Sequence, residues 1–240
     1  MSSENIVIVT GASGDIGLAI IERLIKDGVP VAACCHANSD RVSRAFGAAV
    51  ELHELDLRDE TSIKSCATTI IKATTSIAGL VNCAGIANGG LFAMTRMADL
   101  RDVFEVNFFG TLLLTQYVTK KMIRQKSGSI VNITSTAGLL ADAGTLAYGG
   151  SKASLGHASR VLATELGPLG IRVNAVAPSA VASGMADQMD DVARAKLTDR
   201  EALAGDTLPS DIANMVAYLL SDNASAVSGQ VIRVDRAMPF

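Results

Sequence analysis

The chain has 240 residues, 49% of them apolar and 19% charged. That composition excludes an intrinsically disordered chain, and a chain of this length buries about three quarters of its unfolded surface without a disulfide or metal staple. Lys and Arg number 21 against 24 Asp and Glu, a net charge of −3 with no basic stripe, which argues against nucleic acid as a partner.

Strand and helix patterns alternate along the chain. Asn5–Val9 reads as a strand and Asp15–Lys26 as an amphipathic helix with Gly28 as its stop signal. Val31–Cys35 and Val50–Leu55 are further strands, and Thr61–Thr74 a helix. Ala78–Val81 is a buried strand that ends in Asn82-Cys83-Ala84-Gly85. A long helix over Asp99–Gln125 precedes the strand Ser129–Ile133, and a second long helix over Leu146–Leu166 precedes the strand Arg172–Val176. Ser210–Leu220 is a short helix and Gln230–Val234 the last strand. Strands apolar on both faces and alternating with helices predict an α/β fold: one Rossmann-type, doubly wound parallel sheet of about seven strands within a single domain over 1–240. The segment 179–206 breaks the rhythm and reads as a substrate lid.

No apolar run reaches the roughly 18 residues needed to span a membrane. Met1–Glu4 has no basic region and Ile6–Val9 is too short for a signal sequence, so the expected location is cytoplasmic. Cys34, Cys35, Cys66 and Cys83 lack metal-ligand spacing and read as reduced thiols; no metal is expected.

Thr10-Gly11-Ala12-Ser13-Gly14-Asp15-Ile16-Gly17 lies at the first strand–helix junction. Glycines there let the backbone approach a pyrophosphate, and the helix start offers N–H donors and partial positive charge. A tight turn with Asp15 as helix cap is the plainer reading. No carboxylate occurs between Gly28 and Asp40, so a 2′-phosphate would not be repelled, and His36, Ser39 and Arg41 are placed to meet it. This favours NADP(H), with NAD(H) as the other candidate.

Tyr148 and Lys152 are four apart at the start of a helix and share one face. A nearby ammonium favours the phenolate and makes such a tyrosine a proton donor or acceptor at a carbonyl or alcohol oxygen. Ser135 follows a strand end, where its hydroxyl would hold the same oxygen, and Asn107 is a poor helix former inside a long helix.

In this order, Thr10–Gly17, Asn82–Gly85, Asn107, Ser135, Tyr148 with Lys152, and Asn174-Ala175-Val176-Ala177-Pro178 resemble the short-chain dehydrogenase/reductase family over nearly the whole chain. Within it, the segment Leu55–Asp59 and the ending Ser228-Gly229-Gln230 are similar to bacterial 3-oxoacyl-acyl-carrier-protein reductases. The resemblance implies that Tyr148 is the proton donor, that Lys152 lowers its pKa and holds the nicotinamide ribose, that Ser135 orients the carbonyl, and that Asn107 anchors a relay water. It places the cofactor along the glycine turn (Gly11, Ser13, Gly14, Asp15, Ile16, Gly17) and at His36. It places Asp56 and Leu57 at the adenine, Asn82, Ala84 and Gly85 along the cleft, and Pro178, Val181 and Ser183 by the carboxamide. It also implies a homodimer or homotetramer, and a ketone or acyl thioester substrate, free or on an acyl carrier protein. Lys126 would be a basic residue beside the pocket mouth, and Leu91, Leu139, Met185 and Met189 an apolar pocket under the lid.

The chain departs from the family pattern at Asp15, Cys83, Ser179 and Asp235-Arg236-Ala237, where Gly, Asn, Gly and Asp-Gly-Gly are usual. The competing readings are an NAD(H) alcohol dehydrogenase on the same scaffold and a non-catalytic dinucleotide-binding subunit.

Overall fold

The computed structural model describes residues 4–181 and 200–239. Seven parallel strands form one sheet in the order β3-β2-β1-β4-β5-β6-β7. They are β1 (Ile6–Thr10), β2 (Val31–Cys35), β3 (Glu51–Glu54), β4 (Ile77–Asn82), β5 (Gly128–Ile133), β6 (Ile171–Pro178) and β7 (Val231–Val234). The helices are α1 (Asp15–Lys26), α2 (Ser39–Phe46), α3 (Glu60–Ala73), α4 (Met97–Phe104), α5 (Thr111–Gln125), α6 (Leu146–Leu166) and α7 (Pro209–Leu220). The predicted doubly wound sheet is therefore observed. No described helix is long and apolar enough to cross a membrane.

Each inner strand is buried on both faces. In β1, Ile6 and Ile8 pack with α3 and α5 through Ile63, Ile70, Leu114 and Val118, while Val7 and Val9 pack with α1 and α7 through Ile20, Leu24, Ile212 and Val216. Each fully buried aliphatic side chain of this kind contributes about 1.5–3 kcal/mol. The chain winds outward from β1 to β3, then returns to β4 on the other side of β1. The reversal leaves a crevice beyond the carboxyl ends of β1 and β4, the binding position of doubly wound sheets.

Two elements differ from expectation. The eight-residue α2 buries only Val42 and has no apolar repeat from which it could be read. The long helix predicted over Asp99–Gln125 is divided: α4 and α5 flank a π-helical stretch, Glu105–Gly110. Its last residue lies hard against the β3–α3 connection, and a Cβ at Gly110 would fall 2.0 Å from the Leu57 carbonyl oxygen. One wide turn brings Asn107 fully inside.

The unusual ending Asp235-Arg236-Ala237 adopts left-handed backbone at two consecutive non-glycine residues, with φ 50° at Arg236 and 59° at Ala237. Arg236 offsets this by donating to the carbonyls of Leu203, Ala204 and Asp206. Alanine in that conformation costs about 1–2 kcal/mol, partly countered by the unfolded-state entropy that glycine adds. Ala237→Gly is expected to raise Tm by about 1–2 °C, and Ala237→Val to lower it, as read by thermal unfolding.

Candidate active site

The glycine turn closes on the end of β4. Gly11 has φ 64°, and a Cβ there would lie 2.7 Å from the Ala84 backbone nitrogen. Thr10, which sequence reasoning did not single out, holds the same junction: its Oγ1 accepts the N–H groups of Cys83 and Ala84, both at 3.1 Å. Gly14 is the N-cap of α1 and brings no side chain to the first-turn N–H groups. Gly14 itself is exposed, and a Cβ there meets nothing of the protein nearer than 3.4 Å. The Asp15 carboxylate pairs with Arg41.

The predicted cofactor residues of the adenosine side are close together. His36 Nε2 is 3.5 Å from Asp56 Oδ2, and Ser13 Oγ donates to the Ala37 carbonyl at 3.0 Å. The Leu57 side chain is buried in the core. The Asn82 side chain turns into the layer between sheet and helices, where Nδ2 donates to Thr115 Oγ1 at 2.9 Å and Asn132 Oδ1 at 2.8 Å. Asn132 in turn donates to Ser159 Oγ on α6 at 2.8 Å. Pro178 ends β6 beside Val234, and Val181 is buried and bridges to Thr207.

The catalytic candidates assemble at the carboxyl end of β5. Ser135 starts a short 3-10 turn, its Oγ accepting the Ala137 N–H at 3.2 Å. That turn packs on the first turn of α6: a Cβ at Gly149 would lie 2.4 Å from the Ala137 carbonyl oxygen. The contact brings Tyr148 close enough to Ser135 for the serine hydroxyl to act on the phenol. Lys152, one turn on, is buried, donates to the Ile133 carbonyl at 2.9 Å and lies 5.8 Å from the centre of the Tyr148 ring.

Asn107 Oδ1 accepts the Ile86 N–H at 2.8 Å, and Nδ2 donates to the Ile86 carbonyl at 2.9 Å and to Ser151 Oγ at 3.0 Å. Ser151, fully buried, donates to the Tyr148 carbonyl at 2.7 Å. It therefore links the π stretch to the tyrosine turn. A serine three residues after the tyrosine and one before the lysine was its signal in the sequence.

Burial dominates the electrostatics. It pushes the Tyr148 phenol up, against the opposing effect of the Ser135 hydroxyl. The expected lowering of this phenol by Lys152 is not seen: burial, Ser135 and Cys83 are what shift it. Burial brings the Lys152 ammonium down to about 8, with the Cys83 thiol acting weakly the other way. Burial also pushes Cys83 up to about 12, which keeps it a neutral thiol.

Three expectations need correction or lie elsewhere. Lys126 precedes β5 whereas Ser135 follows it, so a six-residue parallel strand, about 20 Å long, separates Lys126 from the catalytic rim. Leu91 and Leu139 line different clefts. Leu91, with Phe92 and Leu140, borders one of about 740 Å³, and Leu139 a smaller one with Ser135 and Lys152. Ser183, Met185, Met189 and most of 179–206 lie outside the described residues.

Comparison with known proteins fits this geometry. A family model described as Enoyl-(Acyl carrier protein) reductase matches residues 11–238. The chain belongs to this family, a branch of the short-chain dehydrogenases/reductases, which makes it an NAD(P)-dependent oxidoreductase acting on CH–OH and C=O groups. It is 34% identical over 237 residues to the 3-oxoacyl-acyl-carrier-protein reductase FabG of Aquifex aeolicus (strain VF5), covering 96% of each chain. It is 33% identical over 235 residues to the enzyme of that name from Thermotoga maritima, again covering 96% of each. Among solved structures, levodione reductase superposes with a TM-score of 0.91 at 26% identity, over 97% of this chain and 96% of that one.

The Lys152 value yields a prediction. The unfolded chain holds this proton up to about 10.5 and the folded chain only up to about 8. Below pH 8 the buried charge thus costs about 3 kcal/mol, and between pH 8 and 10 stability rises as the proton leaves. Lys152→Met also loses the bond to Ile133, worth about 1 kcal/mol or more. The variant is expected to be about 1–2 kcal/mol more stable than the parent at pH 7 while losing turnover, and the stability gap is expected to close by pH 10 in urea unfolding.

Proposed function

We propose that the chain is an NADP(H)-dependent carbonyl reductase that converts a 3-oxoacyl thioester, or a similar ketone, to the hydroxy compound. The observation that carries this reading is the buried Lys152 ammonium, fixed by the Ile133 carbonyl 5.8 Å from the centre of the Tyr148 ring, with Ser135 beside the phenol. The relatives named 3-oxoacyl-acyl-carrier-protein reductase support the substrate class.

The glycine-capped start of α1 and the glycine turn fit a pyrophosphate: Gly11, Ser13, Gly14, Asp15, Ile16 and Gly17 surround it. His36, Asp56 and Leu57 flank the adenosine, Asn82, Ala84 and Gly85 the cleft, and Pro178 and Val181 the nicotinamide end. The lack of a carboxylate between Gly28 and Asp40 favours the phosphorylated cofactor.

The nicotinamide, when bound, supplies the hydride. Tyr148 Oη gives its proton to the substrate oxygen while Ser135 Oγ holds that oxygen in place. Lys152 stays protonated at neutral pH, and its charge stabilises the phenolate left behind. Asn107 and Ser151 hold the tyrosine turn against Ile86, so the donor does not drift during proton transfer. The enzyme works as a homodimer or homotetramer; Phe109 on the π stretch and Val161 on α6 are exposed apolar side chains that fit such a contact.

The test is NADPH oxidation with a short 3-oxoacyl thioester, run beside the 2-enoyl thioester that the family description brings into question. Turnover of the 3-oxo compound is expected; turnover of the enoyl compound alone would move the reaction to C=C reduction. Tyr148→Phe is expected to lower kcat by about 10²–10⁴-fold with cofactor affinity nearly unchanged, measured by titration of nucleotide fluorescence. Retained turnover would remove Tyr148 from its role.

A further inference from the structure

We infer that the Asp15–Arg41 ion pair sets how strongly the site distinguishes a 2′-phosphorylated dinucleotide from an unphosphorylated one, with Asp15 competing for the guanidinium that a 2′-phosphate would use. The inference rests on the dinucleotide reading above.

Arg41 is the third residue of α2, which starts just beyond the end of β2. In doubly wound nucleotide folds that strand end faces the adenosine ribose, and an arginine nearby accommodates a 2′-phosphate. Here the guanidinium reaches back across the cleft edge. Nη1 donates to the Ser13 carbonyl at 2.9 Å, and Nη2 pairs with Asp15. The glycine turn is tied to the β2–α2 loop a second time by Ser13 Oγ and the Ala37 carbonyl. The pair therefore spans from the pyrophosphate turn to the ribose end.

Both partners are open to a ligand, with side-chain exposures of 47% for Arg41 and 25% for Asp15. His36, the other basic group at this strand end, faces Asp56. A bound 2′-phosphate would bring up to two negative charges and three acceptor oxygens to Arg41. It would meet the Asp15 carboxylate already there, so its gain is the difference between two anions rather than the whole of one. A plain surface ion pair tying α2 to the turn would stabilise weakly and show no such selectivity.

The experiment is calorimetric binding of adenosine 2′,5′-bisphosphate and adenosine 5′-monophosphate to the full chain, its Asp15→Asn and Arg41→Met variants, and the double variant. The readout is the ratio of the two affinities, which cancels general effects on nucleotide binding. Asp15→Asn is expected to raise the preference for the bisphosphate about tenfold, and Arg41→Met to lower it by a similar factor. The double variant should match Arg41→Met within about twofold, because Asp15 acts through the guanidinium. An Asp15→Asn effect that is equal for both nucleotides, or that persists without Arg41, overturns the inference and leaves the dinucleotide reading intact. Failure of the parent chain to bind either nucleotide overturns the dinucleotide reading and this inference with it.

Discussion

Burying the Lys152 ammonium against the Ile133 carbonyl joins the last residue of β5 to the second turn of α6, at a cost in stability while the charge is present. Its surroundings are arranged to hold that charge. Gly85 leaves room for it, since a Cβ there would stand 3.1 Å from Nζ and 3.2 Å from Asn107 Oδ1. Cys83 is kept neutral beside it. The ammonium thus ties the β5 end to the tyrosine helix, beside the end of β4.

Beneath the site runs a chain of amides and hydroxyls from Thr115 through Asn82 and Asn132 to Ser159. It crosses from α5 through two neighbouring strands to α6. Such a network fixes side chains by direction as well as by volume, which apolar packing alone does not do. The helix that follows the π stretch and the helix that carries Tyr148 and Lys152 are therefore held in register with the strand ends between them. Ser151 adds a shorter, fully buried link of the same kind between Asn107 and Tyr148.

Much of this was legible in the chain because each buried parallel strand is a short apolar run and each helix a longer periodic one. Asp15–Lys26, Val31–Cys35 and Leu146–Leu166 were read with the bounds observed. The catalytic set was legible as spacing: Tyr148 and Lys152 four apart, and Ser135 just past a strand. What escaped had no local pattern. The helix α2 presents one buried residue, so periodicity had nothing to report. The π stretch depends on a contact between Gly110 and Leu57, far apart in sequence. The inward turn of Asn82 depends on Asn132 and Thr115, and Asp15 pairs with Arg41, 26 residues on. Lys126 was misplaced because motif order along a chain does not say at which end of a strand a residue emerges.

The π stretch also carries a consequence for how this helix tolerates change in length. Each residue added to or removed from a helix rotates everything beyond it by about 100°. The wide turn at Glu105–Gly110 already holds the extra residue, so the phase of α4 and that of α5 are each set by their own packing. Deleting one residue within the stretch would let the helix relax to ordinary α geometry and keep both flanks in phase. The backbone would be more regular, and the amide of Asn107 would no longer face Ile86. The irregular turn is thus where the helix gives up regular hydrogen bonding to aim a single side chain.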